Sequence, residues 1–320
     1  MRLLASLKIM MGAQPARPAA VTPAAEAMHE RKRQTPGRER AREIRELHEN
    51  HRSHKWRNIR WAVLVLVNML FVVSYHFDVQ LVEGALTASR VIGFHFADLN
   101  SALQVTLAFK KILINLVIGT STVLVMWWLL GGRSFCSWTC PYHLLAEIAE
   151  KIHLKLASRR LVVDYTLHRG TRTVLYVVFA LMAFVSGYTV YEAISPTGIV
   201  SRALIYGPGL ALVWVAGLLV YEIIFIRRMW CRYVCPIGMT YGFVGAVSPV
   251  RVVYNLENCL HEGDCRKVCL VPHVLECTKK SFAEDVEVPI GADCTRCGLC
   301  IDACPTGSLR FDVKGLNKLL

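Results

Sequence analysis

Four apolar stretches follow one another along the chain, separated by polar segments. They cover residues 61–75, 112–130, 173–194 and 207–226. About 20 apolar residues cross the hydrocarbon layer of a bilayer, so three stretches are long enough alone and the first is long enough with its flanks. None has the polar face of a helix that packs on a soluble core. The pattern predicts an α-helical membrane protein with four transmembrane helices.

The polar ends of the chain predict two further regions. Residues 1–58 are rich in Ala, Pro and Arg and have no apolar core long enough for a secretory signal, so we expect a basic, disordered tail. Residues 250–320 are polar, rich in Cys and interrupted by Gly and Pro, which predicts a small separate domain. Residues 59–249 then form the membrane domain.

Charge sets the expected orientation. Basic residues concentrate in the tail, in the 132–172 connection and just after residue 226, whereas Arg90 is the one basic residue of the 76–105 connection. By the positive-inside rule, both termini and the middle connection are cytoplasmic. We therefore attribute the net charge of +13 to the orientation of the chain in a membrane. We expect contact with membrane lipid and no nucleic-acid partner.

Four of the twelve cysteines form a dense motif near the C-terminus. The sequence "DCTRCGLCIDACPTG" contains Cys294, Cys297, Cys300 and Cys304. Two-residue spacers let the chain curl round a cubane, and the fourth thiolate serves a second cluster in two-cluster ferredoxins. Zinc is the alternative, but zinc sites usually combine two separated cysteine pairs. The motif favours a [4Fe-4S] cluster with a second one nearby.

The stretch "ENCLHEGDCRKVCLVPHVLECT" would supply the remaining ligands. The predicted cluster B is held by Cys269, Cys294, Cys297 and Cys300. The predicted cluster A is held by Cys259, Cys265 and Cys304, and lacks one ligand. Cys277 is the expected fourth ligand, because iron in such clusters prefers thiolate. Glu262 and a three-iron cluster are the alternatives.

A second cysteine pattern occurs twice. "RSFCSWTCP" follows the second apolar stretch and "RMWCRYVCP" follows the fourth, which predicts two pseudo-repeated hairpins. The pairs Cys136/Cys140 and Cys231/Cys235 each share one helical face at the same membrane edge. They could be buried apolar residues, a dithiol pair, or joint ligands of a third iron–sulfur cluster or other metal centre. We favour the metal centre, whose negative charge Arg133 and Arg228 would offset.

These features resemble the NapH/MauN family of ferredoxin-type membrane proteins, and more distantly NosR and CcoG-type proteins. The resemblance extends from about residue 60 to the C-terminus and is carried by "GGRSFCSWTCP", "WCRYVCPIG" and "DCTRCGLCIDACP". Glu262 and Leu270 depart from the family pattern. The resemblance implies electron transfer at the bacterial inner membrane, as a quinol dehydrogenase component with other redox subunits as partners.

The sequence contains no motif for a nucleotide, a flavin or c-type haem, so we expect an electron-transfer subunit without catalytic residues of its own. A maturation factor for a metalloenzyme is the alternative, and a cluster-based redox sensor is a third. A quinone site would need a proton acceptor near the outer membrane face. His76, His95 and Glu192 are the candidates for that acceptor.

Overall fold

The structure, a computed structural model, describes residues 3–34, 36–51, 53–77, 82–86, 88–91 and 94–315. A few residues of the predicted tail and of the predicted C-terminal domain therefore lie outside the described residues.

The N-terminal segment contains helices where the sequence led us to expect a disordered tail. They are α1 (Leu3–Met10), α2 (Pro23–Gln34) and α3 (Gly37–Asn50). Met10 is buried against Met239 and Ala292, and the Ser6 hydroxyl accepts a hydrogen bond of 2.8 Å from the Ala292 N–H. Ala25 of α2 is buried in the C-terminal core. The apolar residues of α2 recur at three- and four-residue spacing, which gives the basic segment one face that packs on the protein.

The middle of the chain repeats one order of elements. The first half contains α4 (Lys55–His76), β1 (Val82–Ala85), β2 (Ala88–Val91), β3 (Phe94–Ala97), α5 (Leu99–Phe109), α6 (Ile114–Leu130), α7 (Ser134–Trp138) and α8 (Pro141–Ser158). The second half contains α9 (Thr171–Ser186), α10 (Val190–Ile194), α11 (Pro196–Tyr206), α12 (Ala211–Ile224), a π-helical turn (Trp230–Val234) and α13 (Ile237–Val247).

The four predicted spans correspond to α4, α6, α9 and α12. Among the described residues, α4 is the one helix that is both long and apolar enough to cross a bilayer, and the other three are shorter apolar helices. The sequence analysis missed α5 and α11, which precede α6 and α12 in the two halves. Each half therefore has one more helix than a simple hairpin.

The C-terminal domain is α+β, as predicted. Its elements are β4 (Val250–Asn255), α14 (Asp264–Val268), a 3-10 helix (Pro272–Thr278), β5 (Glu287–Pro289), α15 (Leu299–Asp302) and β6 (Leu309–Val313). The strands form an antiparallel sheet in the order β5-β4-β6. Tyr254, Leu256, Leu275 and Leu309 are buried at its core.

Helix α4 begins directly on the C-terminal domain. The two carboxylate oxygens of Asp302 accept hydrogen bonds from the N–H groups of Trp56 (3.1 Å) and Arg57 (2.9 Å). An aspartate in this position satisfies N–H groups that the first turn of a helix leaves without partners. Trp56 also packs on Gly298, where an added Cβ would approach the Trp56 Cβ to 2.5 Å. Asp302 and Gly298 both belong to the dense cysteine motif, so that motif positions the first long apolar helix.

Candidate functional site

All twelve cysteines are free thiols, and they fall into three groups around three cavities. The membrane-edge cavity is lined by Cys136, Cys140, Cys231 and Cys235. Cavity B is lined by Cys269, Cys294, Cys297 and Cys300. Cavity A is lined by Cys259, Cys265 and Cys304 together with Glu262. Among the described residues, no three His, Cys, Asp or Glu side chains converge as tightly as ligands of a single ion. The thiols instead stand around the walls of each cavity.

Sharp turns after α6 and α12 bring the membrane-edge pairs together. Gly131 and Gly132 follow the last residue of α6, and both have positive φ. Gly132 packs so closely on Gly245 that a Cβ added to Gly132 would lie 2.2 Å from the Gly245 nitrogen. Cys140 and Cys235 then adopt extended backbone, each directly before a proline that starts or precedes the next helix. The Cys235 thiol is close enough to those of Cys136 and Cys140 to act on their pKa values. The two repeated motifs therefore share one cavity.

Buried cations surround these thiols. Burial raises the pKa of Cys136 to about 12 and that of Cys140 to about 11. The guanidinium groups of Arg133 and Arg228 line the same cavity, and Nε of Arg133 and both terminal nitrogens of Arg228 have no acceptor in the described part of the chain. Arg133 and Arg228 are already ion-paired with Asp293 and Glu150, but their remaining N–H groups are available to an anionic ligand. Four thiols beside such donors fit an anionic metal–thiolate centre, whose binding would release the thiol protons. Four thiolate ligands suit an iron–sulfur cluster better than they suit a hard cation.

The second half of the membrane region adds polar contacts to this cavity. The Thr197 hydroxyl, in the first turn of α11, lies 3.2 Å from the Cys140 sulfur. The Tyr191 hydroxyl lies 3.4 Å from the Cys235 sulfur. The N-terminus of α11 therefore points at the thiols, and the positive end of a helix dipole favours negative charge there. The sequence analysis missed this contact because it placed no helix at residues 196–206.

Cavity B forms inside the dense motif. Arg296 and Gly298 have positive φ, so the chain curls between successive cysteines, and the Arg296 N–H donates to the Cys294 sulfur at 3.4 Å. The Arg296 side chain donates to the carbonyls of Val250 (3.1 Å) and Gly245 (2.7 Å), which fixes the loop against the membrane region. Val252, Val274, Leu275 and Ile290 make the rest of the wall apolar. A four-thiol, apolar pocket with N–H donors to sulfur suits a cubane cluster.

Cavity A contains both candidates for the fourth ligand. Glu262 lines it directly, whereas the Cys277 thiol lies behind, next to those of Cys265 and Cys259. Burial, with a smaller contribution from the neighbouring thiols, raises the pKa of Cys277 to about 12. Tyr254 is fully buried beside the same three cysteines. The structure thus places Cys277 beside Cys259 and Cys265, and Glu262 on the wall of cavity A.

The membrane-edge cavity and cavity B share a wall. Val271 and Thr295 line both. The Ser137 hydroxyl donates to the Thr295 carbonyl at 2.7 Å, and the Trp138 indole donates to the Arg296 carbonyl at 3.0 Å. From the second motif, Arg232 donates to the Leu270 carbonyl at 3.3 Å. Residues inside both repeated motifs therefore hold the loops of cavity B.

One buried carboxylate reinforces this wall. Asp293 directly precedes Cys294, and its oxygen Oδ1 pairs with Arg133 and, at 2.8 Å, with Arg172. The Nε2 atom of His273 lies 2.7 Å from Oδ2 of Asp293. The sequence analysis missed Asp293, because an isolated acid before a cysteine motif carries no distinctive pattern.

The residues considered for a quinone site are dispersed. His76 and His95 are exposed, at the end of α4 and in β3 respectively. Glu192 is half-buried in α10 and accepts a hydrogen bond of 2.6 Å from the Ser101 hydroxyl. Of the three, Glu192 alone belongs to a network that continues into the protein.

Comparisons with known proteins agree with the cysteine geometry. Residues 113–160 and 207–252 both match one family described as a 4Fe-4S binding domain, and residues 290–310 match a second family of the same description. The first two matches contain the repeated motifs. No solved structure matches the chain.

Several curated proteins are similar over most of the chain. The methylamine utilization ferredoxin-type protein MauN of Methylorubrum extorquens is 30% identical and covers 82% of this chain and 91% of its own length. The ferredoxin-type protein NapH of Escherichia coli is 28% identical, over 83% of this chain and 92% of its own. The putative electron transport protein YccM of Escherichia coli is 25% identical, over 79% and 73%. The chain therefore belongs to the NapH/MauN family of ferredoxin-type proteins, as its motifs indicated, and is an iron–sulfur electron-transfer protein.

Proposed function

We propose that the chain is a membrane electron relay with three iron–sulfur centres in series, between the quinone pool and a partner redox enzyme. The membrane-edge centre is held by Cys136, Cys140, Cys231 and Cys235. Cluster B is held by Cys269, Cys294, Cys297 and Cys300. Cluster A is held by Cys259, Cys265, Cys304 and Cys277. The clusters supply one-electron chemistry, and the protein supplies position, charge compensation and exclusion of water.

The shared wall of the membrane-edge cavity and cavity B is the observation that carries this proposal. Val271 and Thr295 line both cavities, so one layer of side chains separates them. Cavities B and A are interleaved along the chain: Cys265 and Cys269 contribute to different cavities, as do Cys300 and Cys304. The Cys265 thiol also acts on the pKa of Cys300. Adjacent ligands that serve different cavities keep the centres close together.

The membrane arrangement is part of the same proposal. Helices α4, α6, α9 and α12 cross the inner membrane, and both termini lie in the cytoplasm. The basic 132–172 connection and the contact of Asp302 with the start of α4 support this orientation, because they place the positive charge and the C-terminal domain on one side. The short helices α5 and α11 then begin inside the membrane domain, beside Tyr241 and Cys140 respectively, and run toward the other side.

Iron content tests the number of centres. Three four-iron clusters give about twelve irons per chain, and two give about eight. We expect wild-type protein purified without oxygen to contain the larger amount, and Cys136→Ser to lose about four irons while EPR signals of the other two clusters remain. Ser158→Ala, an exposed change at the end of α8, is the matched control. An unchanged iron content in Cys136→Ser would remove the membrane-edge centre.

Two variants test which residue is the fourth ligand of cluster A. We expect Cys277→Ser to abolish or strongly shift the EPR signal of cluster A, because a hydroxyl is a poor ligand for cluster iron. Glu262→Gln should leave that signal in place. The opposite result, an intact spectrum in Cys277→Ser and a changed one in Glu262→Gln, would assign the carboxylate instead.

Membranes without this protein test the relay against an assembly role. We expect the partner enzyme to remain fully loaded with its cofactor and to turn over with artificial electron donors, but to lose turnover driven by quinol. A partner enzyme that lacks its cofactor would indicate a maturation factor. Quinol-driven turnover that survives the deletion would exclude the relay.

A further inference from the structure

A large apolar groove lies between α4 and α6. Its cavity volume is about 680 Å³, within the roughly 300–1,000 Å³ typical of a small-molecule site. Val63, Val67, Leu70 and Phe71 of α4 form one wall, and Val123, Met126 and Trp127 of α6 form the other. Both helices also expose large apolar side chains on their outer surfaces. In the proposed membrane arrangement, the groove is open to the lipid and suits a long apolar molecule.

The inner end of this groove is polar. Asp98 and Tyr241 line it, together with Ser134 and Thr139. The Tyr241 hydroxyl donates to Asp98 Oδ1 at 2.8 Å, and both side chains are buried. A buried carboxylate inside an apolar membrane domain is costly, and such residues usually mark a proton or substrate path.

A chain of hydrogen bonds continues from Asp98 away from the groove. The Ser101 hydroxyl lies 3.3 Å from Asp98 Oδ2 and 2.6 Å from Glu192 Oε1. A hydroxyl can accept a proton on one side while it donates one on the other. Glu192 is half-buried, and the exposed Arg202 lies close enough to act on it. The chain thus links the polar end of the groove to the surface formed by α10 and α11.

The same polar end is next to the membrane-edge cysteines. The ring of Tyr241 stacks on Phe135, with centroids 4.8 Å apart and planes inclined by 23°. Phe135 precedes Cys136 and lines both the groove and the membrane-edge cavity. One aromatic layer therefore separates a molecule at Tyr241 from the thiols. A proton acceptor, Asp98, and the thiols that would hold an electron acceptor therefore lie close to the same end of the groove.

We propose that this groove is the quinol site, with the isoprenoid tail between α4 and α6 and the head group against Asp98 and Tyr241. This assignment rests on the proposed electron relay. Oxidation of one quinol releases two protons and two electrons and leaves the quinone. The protons pass one after the other to Asp98 and leave through Ser101 and Glu192. The electrons would pass one at a time past Phe135 to an oxidised iron–sulfur centre held by the membrane-edge cysteines, and from there through clusters B and A to the partner enzyme.

Binding is measured first, without turnover. Trp56, Trp127 and Trp138 line the groove, so a short-chain ubiquinone or menaquinone analogue should quench the tryptophan fluorescence of the wild-type protein in lipid nanodiscs. Val67→Trp fills the groove from α4 and should abolish saturable quenching, with unchanged iron content as the check on folding. Thr122→Val is the matched control and should bind normally, because Thr122 of α6 is half-buried, bonds the Ile118 carbonyl of its own helix and does not line the groove. Equal quenching in wild type and Val67→Trp would overturn the site, as would groove occupancy by phospholipid that quinone does not displace.

Proton transfer is measured second, as the rate at which quinol reduces the clusters in stopped-flow absorbance. Asp98→Asn should bind the analogue but slow reduction by about 100-fold or more, the usual loss on removal of a general base. Asparagine is as good an N-cap as aspartate, so α5 retains its cap, which Asp98 now supplies through the Asn100 and Ser101 N–H groups. Glu192→Gln should slow reduction less, and Thr122→Val not at all. Dithionite should reduce the clusters of every variant.

Two negative results have different meanings. If quinol fails to reduce wild-type clusters that dithionite reduces, the quinol link of the proposed function is wrong. If quinol reduces wild type, Asp98→Asn and Glu192→Gln at the same rate, the relay keeps its quinol and the proton path assigned here is wrong.

Discussion

The buried carboxylate of Asp293 is the interaction that holds the membrane-edge cavity and cavity B together. Arg133 from the first repeated motif and Arg172 from the start of α9 both pair with it, and His273 contacts it from the C-terminal domain. Burial alone would raise the pKa of Asp293, but the two guanidinium groups hold it well below its usual range. Removal of one partner from a buried ion pair typically costs about 3–5 kcal/mol. Because Asp293 directly precedes Cys294, this cost ties a ligand loop to the membrane domain.

The contacts around Asp293 fix the position of the C-terminal domain. Ser137 and Trp138 donate hydrogen bonds to backbone carbonyls of the dense motif, and Asp302 of the same motif caps the N-terminus of α4. The fifteen residues of the dense motif thus combine four cysteines with attachment to α4 and to the first repeated motif. The N-terminal helices add a second layer, since Lys32 donates to the Cys259 carbonyl at 2.6 Å and α1 covers the loop at Ala292. Segments that are distant in sequence therefore cover the cysteine loops.

The chemistry of this protein could be predicted from sequence to a greater extent than its membrane architecture. Cysteine spacing carries strong information, because thiolates that share a cubane must come from short, defined loops. The grouping of Cys269 with Cys294, Cys297 and Cys300 follows from that constraint, and the structure places these four around one cavity. The structure also places the four cysteines of the repeated motifs around one cavity. Helices α5 and α11 were missed since they are short and bear buried polar residues such as Asn100 and Gln104, which weaken an apolar pattern.

Contacts between residues that are distant in sequence could not be predicted either. Asp98 meets Tyr241, and Asp293 meets Arg172, only after the chain has folded. The helices of the N-terminal segment were missed for a related reason: their composition is polar and basic, and the few apolar residues gain order only on the C-terminal domain.

The central claim is that electrons reach cluster A only through cluster B. The most direct measurement mixes quinol with the Cys294→Ser variant, which lacks a ligand of cluster B, and follows each centre by rapid freeze-quench EPR. The account predicts that the membrane-edge centre is reduced at the wild-type rate while cluster A stays oxidised, although dithionite reduces both. Reduction of cluster A by quinol at the wild-type rate would contradict a relay in series.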